Sequence, residues 1–195
     1  CQWILESHVH ADHLSAAPYV QDRIGGKIGI GKNITVVQDT FGKVFNEGTE
    51  FQRDGSQFDA LFADGDSFHI GQMRGDVMHT PGHTPGGSAT DLYVSIQRIL
   101  SLPDQTRIFV GHDYKAPGRD DFAWETTVAE EKAANVHIGG GVDCDDFVTL
   151  RQTRDATLGM PKLILPSLQV NMRAGHMPPA EDDGTVMLKL PINKL

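Results

Sequence analysis

The run His8-Val9-His10-Ala11-Asp12-His13 narrows what this chain can become more sharply than any other stretch. It packs three imidazoles and a carboxylate into a compact set of metal-ligand types. In an extended segment side chains alternate, so His8 and His10 point the same way. A turn after His10 brings Asp12 and His13 round to a neighbouring point. Neutral imidazole suits Zn, Fe, Ni and Cu, and a carboxylate widens the choice toward harder ions. The competing reading is a polar loop with clustered histidines and no ion.

Two later segments carry histidines of the same kind. In Thr80-Pro81-Gly82-His83-Thr84-Pro85-Gly86, Pro-Gly flanks the histidine on both sides. That composition makes a tight turn, and a rigid presentation is what a ligand needs. Gly111-His112-Asp113-Tyr114 follows the apolar run Ile108-Phe109-Val110, which predicts His112 at the mouth of a buried strand. Three separate segments thus offer histidines from strand ends and loops, where sites concentrate.

Taken in order, the three segments resemble the metallo-β-lactamase superfamily. In detail they are similar to one branch, the persulfide dioxygenases (sulfur dioxygenases) and the related hydroxyacylglutathione hydrolases. The tail Leu168-Gln169-Val170-Asn171-Met172-Arg173-Ala174-Gly175 resembles the Asn-Met/Ile-Arg-x-Gly segment of the dioxygenases. Trp124-Glu125-Thr126-Thr127-Val128-Ala129-Glu130-Glu131-Lys132 resembles bacterial members of that branch. The resemblance runs over nearly all 195 residues. It implies an α/β fold, a four-layer αββα sandwich of two facing sheets with helices outside, as one domain over 1–195.

The chain also departs from the family. There, the turn histidine is followed by a strand and a Gly-Asp-x-Leu-Phe-like element whose aspartate binds metal. Here Gly86-Gly87 runs within a few residues into Ala89-Thr90-Asp91-Leu92-Tyr93-Val94-Ser95-Ile96, which resembles the helix beyond that element. No aspartate in between fits, and Asp91 lies on the helix. Cys1 opens almost directly on Trp3-Ile4-Leu5, whereas the family has further strands before it. The expected domain is therefore incomplete at its N-terminus and near 86–88, through a stretch left out of this sequence or through a true deletion.

The resemblance implies two metal positions, one drawing on His8, His10 and His83, the other on Asp12, His13 and His112, with the missing aspartate bridging. In the dioxygenases one Fe(II) sits on the equivalents of His8, His83 and that aspartate, a two-histidine, one-carboxylate triad with open positions. His10, Asp12, His13 and His112 then orient ligands and water. In the hydrolases the same positions bind Zn(II), which activates water and polarises a thioester carbonyl. The tail and middle segments favour the dioxygenase. Its substrates are a small thiol persulfide, such as glutathione persulfide, and O₂; its products are sulfite and thiol. The alternatives are a zinc-dependent hydroxyacylglutathione-type thioester hydrolase and a non-catalytic metal-binding protein.

Further residues have roles implied by the resemblance. Asp12 and Tyr114 are the catalytic candidates; Tyr114 reaches toward the thiol substrate or merely caps the core. Arg173 binds a substrate carboxylate or braces the C-terminal loop through its packed stem. His137 stands where well-known members have an arginine that contacts glutathione. A histidine cannot make that forked contact, so a different small persulfide becomes a candidate. His69, His79 and His176 read as a strand residue, a support for the turn and a loop residue.

Composition excludes some classes. A net charge of −9 argues against nucleic acid, whose phosphates need clustered Lys and Arg. No apolar run is long enough to span a bilayer. The two cysteines, Cys1 and Cys144, make no disulfide framework, and a reducing cytoplasm is the simplest setting. A homo-oligomer and an upstream sulfurtransferase both stay open. Apolar periodicity predicts helices over 14–24, 34–45, 89–100, 125–135 and 143–158, strands over 3–5, 27–30 and 107–110, and hairpins over 58–77.

Overall fold

Short apolar runs at Trp3-Ile4-Leu5 and Lys27-Ile28-Gly29-Ile30 build the first sheet. In the computed structural model, which describes residues 1–83 and 87–193, β1 (Trp3–Leu5) pairs in parallel with β2 (Lys27–Gly31). Parallel neighbours need a crossover. Residues 6–26 supply it, carrying the histidine run and then α1 (Ala17–Ile24). A second crossover through α2 (Ile34–Val44) reaches β3 (Ala60–Phe62), parallel to β2 on its other side. The histidine run therefore leaves the end of β1 in a strand-to-helix connection, where ligands of open α/β sheets gather.

The chain divides into two compact units: Cys1–His79 with Gly159–Leu195, and Thr80–Leu158. The first adds the hairpin β4 (Ser67–Ile70) and β5 (Met73–Asp76). Its core joins Val9, Ala17, Ile28, Ile30, Ile34, Phe45, Phe51 and Phe58 to Leu168, Met172 and Ala174 from the C-terminal segment. Burying a side chain of the size of Phe45 or Met172 contributes about 1.5–3 kcal/mol. The second unit holds α3 (Ala89–Leu100), β6 (Arg107–Phe109), β7 (Glu125–Thr127), α4 (Val128–Ala134) and α5 (Cys144–Asp155). Its core is Leu100, Val128, Ile138 and Phe147.

Four expectations change. Residues 58–77 hold one hairpin, because β3 pairs with the distant β2. The first helix starts only at Ala17, with Pro18 in its first turn, where a missing N–H costs nothing; Ile24 faces solvent. Glu125–Thr127 is a strand paired antiparallel with β6, and the helix begins after it. Thr127 caps that helix: its Oγ1 accepts from Glu130 N–H, and Glu130 Oε2 accepts from Thr127 N–H, a reciprocal capping box. Finally, β6 is not buried; Phe109 is 63% and Val110 40% exposed. The predicted Thr84-Pro85-Gly86 half of the double turn lies outside the described residues. Among the described residues no helix is long and apolar enough to cross a membrane.

α6 (Ile164–Asn171) was not expected as a helix. It runs into the tail segment and supplies buried polar groups to the first unit. Gln38 ties it to α2: its amide donates to Met172 O at 3.0 Å and to Gln57 Oε1, and its oxygen accepts from Gly55 N–H.

Candidate metal centre

The four metal-type side chains of the histidine run come together. The rings of His8 and His10 lie 4.0 Å apart, and those of His10 and His13 4.3 Å apart. Asp12 Oδ1 stands 3.3 Å from His13 Nδ1 and 3.8 Å from His10 Nδ1. Ser7 Oγ is within hydrogen-bonding distance of both His8 Nδ1 (2.9 Å) and His10 Nε2 (3.4 Å). Candidate ligand atoms of His10, Asp12 and His13 all lie within 4.8 Å of one another. Two donors bound to one ion at about 2.0–2.2 Å are separated by at most roughly 4.4 Å. The set fits a cation after movements of a few tenths of an ångström.

The loop is shaped by residues far away in sequence. Asn171, at the end of α6 and 6% exposed, uses its whole amide on it. Nδ2 donates to His10 O at 2.9 Å and His13 O at 2.8 Å, and Oδ1 accepts from Ser15 N–H at 2.8 Å. Ser15 Oγ in turn donates to Glu6 Oε1 and accepts from Ala17 N–H, closing the loop across its base. Gly175 packs against the same place. Its φ is +88°, and a Cβ there would lie 2.7 Å from Pro18 Cδ and 3.0 Å from Ser15 O. Only glycine suits that backbone and that approach.

Arg173 lies in the same unit, beneath a cleft of about 560 Å³ lined also by Phe51, His176 and Met177. Its Nη2 lies 2.8 Å from Glu47 Oε2, both side chains almost wholly buried. Nη1 donates to Gln169 O, and the guanidinium lies over the Phe51 ring at 4.4 Å. Lys189 Nζ reaches Glu47 Oε2 as well, at 3.3 Å.

The remaining candidates belong to the second unit. His83 is exposed and follows Gly82, where a Cβ would come within 2.4 Å of Leu92 N; the close approach holds the turn against α3. Ser95 Oγ donates to Pro81 O at 2.8 Å from the same helix. His112 and Tyr114 stack at 5.9 Å, and Tyr114 is 82% exposed. The residue between them carries the loop. Asp113 accepts from both terminal nitrogens of Arg119 and from the N–H groups of Lys115 and Ala123. Arg119 first, then the Ala123 N–H, holds its carboxyl far below the usual range. Sequence reasoning passed over Asp113 and Asn171; Asp113 had a visible signal, since Asx residues bond backbone amides just ahead of them.

His137 has a buried Nδ1 with no hydrogen-bond partner among the described residues. Burial pushes its pKa down, and the charges of Arg154 and Arg151 on α5 push it the same way. His69 is a strand residue of β4, as expected. His79 donates its N–H to Asp64 Oδ1, with Nε2 3.3 Å from Asn33 Nδ2.

Residues 1–102 match the metallo-beta-lactamase superfamily. A probable metallo-hydrolase of Burkholderia pseudomallei is 47% identical, covering all of this chain and 79% of that protein. Its alignment runs over 234 residues, more than the chain's 195, so that relative has residues with no counterpart here. Human mitochondrial persulfide dioxygenase ETHE1 is 23% identical, over 91% of this chain and 70% of the human one. The crystal structure of ETHE1 from Myxococcus xanthus superposes with a TM-score of 0.67 at 26% identity, over 90% of this chain and 78% of that one. The chain spans about half the length of several further curated relatives.

Proposed function

This chain belongs to the metallo-β-lactamase superfamily and has its metal-dependent fold, and from that premise we propose a persulfide dioxygenase. The balanced reaction is RSSH + O₂ + H₂O giving RSH, sulfite and two protons. One observation carries the reading. The tail segment resembling the dioxygenase branch is the one that grips the histidine run, through Asn171.

His10, Asp12 and His13 would hold the metal, with the His8 ring tilted against that of His10. An ion bound by two imidazoles and one carboxylate keeps open positions and, as Fe(II), supplies a centre where a thiolate sulfur and O₂ can meet. Asp12 Oδ1 also lies 3.3 Å from His13 Nδ1, close enough to orient that ring. Tyr114, whose role toward a thiol is implied by the resemblance, is 82% exposed and stacks on His112. Arg173 has its charge met by Glu47, so its part is to brace the tail. His137 is biased toward its neutral form by burial and by Arg154, which makes it a poor partner for a glutathione carboxylate. A small thiol without that carboxylate fits better.

A second reading is a zinc-dependent thioester hydrolase, favoured by the metallo-hydrolase name of the Burkholderia relative. Metal analysis with oxygen-electrode assays on glutathione persulfide and a smaller alkyl persulfide separates the two. The proposal expects iron, O₂ uptake and sulfite. Zinc, no O₂ uptake and cleavage of S-lactoylglutathione would replace it with the hydrolase. Bound metal without turnover of any of these would leave a metal-binding protein.

A further inference from the structure

We propose that Asn171 is the positioning residue of the metal loop, setting the affinity of His10, Asp12 and His13 for their cation from a helix more than 150 residues further along the chain. The proposal rests on the reading that these three residues hold a metal; it does not depend on which reaction follows.

The argument starts from what the loop lacks. Residues 6–16 belong to no helix or strand, so no ladder fixes the peptides that carry the ligands. A flexible loop would lose its conformational freedom only when the ion binds, at roughly 1–2 kcal/mol per backbone residue fixed. Asn171 removes that freedom beforehand. Its two N–H bonds take the carbonyls of His10 and His13, which flank Asp12, and its oxygen takes the N–H of Ser15, two residues past His13. Fixing His10 O and His13 O orients both peptide planes, and with them the Cα–Cβ directions along which the rings approach Asp12. An amide with two donors and one acceptor at this reach is needed. Aspartate offers acceptors only, and would face two carbonyl oxygens. The neighbouring residues serve the same seat: Met172 is fully buried in the core and Gly175 admits Pro18 and Ser15 O.

Orienting groups behind metal ligands are worth about 10–100-fold in metal affinity. The test is Zn(II) affinity of the whole chain, measured by competition with a chromogenic chelator, for wild type, Asn171→Ala and His13→Ala, with the unfolding midpoint of each metal-free protein. The proposal expects Asn171→Ala to bind roughly 10–100-fold more weakly while its Zn(II)-loaded form keeps a one-to-one stoichiometry, and His13→Ala to lose the site. A bystander that only braces the fold would lower the metal-free midpoint and leave affinity unchanged, and that result overturns the proposal. Absence of any Zn(II) binding by wild type overturns the metal reading together with it.

If Asn171→Ala does not fold, the wild type still decides. Coupling is reciprocal, so an amide that aids metal binding is itself held more firmly once metal is bound. The side-chain NH₂ protons of Asn171 should exchange with solvent several-fold more slowly after Zn(II) addition. Unchanged exchange overturns the proposal.

Discussion

Replacing Arg173 by methionine asks whether this residue braces the tail or waits for a substrate. In the structure its guanidinium lies 2.8 Å from Glu47 Oε2, and both side chains are about 5% exposed. Arg173→Met keeps most of the stem and strands the Glu47 carboxylate. Breaking a buried pair from one side costs about 3–5 kcal/mol, because the surviving charge stays in a poorly solvating site. Lys189, 3.3 Å from the same oxygen but half-exposed, compensates in part and pulls the effect toward the lower end. At about 2–4 °C per kcal/mol for a chain of this length, the unfolding midpoint should fall by roughly 6–20 °C. Removing both charges, in Glu47→Leu with Arg173→Met, leaves no stranded ion and should recover most of the loss. Thermal unfolding followed by near-ultraviolet circular dichroism reads all three variants. An unchanged midpoint in Arg173→Met, with a KM for persulfide raised tenfold or more, would refute the bracing role and return the guanidinium to the substrate.

Three further outcomes follow from particular contacts. Gly175→Ala forces a side chain into φ +88° and toward Pro18 and Ser15; it should cost at least about 1–2 kcal/mol and weaken Zn(II) binding, and full affinity at an unchanged midpoint would contradict it. Thr127→Ala removes the cap of α4 and should destabilise by about 0.5–2 kcal/mol in denaturant titration, with metal affinity untouched. Asp113 has its folded pKa depressed by Arg119, so its contribution is complete above the unfolded value of about 3.9 and is lost as pH falls from there toward the folded value. Trp124 fluorescence should therefore report loosening of the 111–124 loop in acid, and Asp113→Asn should lack that acid limb; an identical limb in the variant would remove Asp113 as its cause.

The sequence revealed whatever local periodicity or local chemistry encodes. The histidine run reads as a ligand set because its members meet within a few residues, and α2, α3 and α5 show apolar spacing or an acidic cap such as Asp143. α6 gave no such signal. Ser167, Leu168, Gln169, Val170 and Asn171 are all buried, and a helix buried all round has no polar face to set a 3.6-residue rhythm. The sequence places β3 in a hairpin, whereas its partner β2 lies 31 residues back; a period-two pattern does not name a partner. Glu125–Thr127 is indistinguishable in sequence from the start of the following helix, because three residues are too few to show alternation. Asn171 stands within a recognisable motif, yet its use is not legible there: a buried polar side chain bonding across 158 residues leaves no local trace.

Anomalous scattering at the metal edge, from crystals grown with Fe(II) or Zn(II), goes most directly to the claim that these histidines gather one ion. The account predicts a peak about 2.0–2.3 Å from a ring nitrogen of His10, a ring nitrogen of His13 and an oxygen of Asp12. A fully occupied metal that leaves all three of these side chains beyond bonding distance would contradict it.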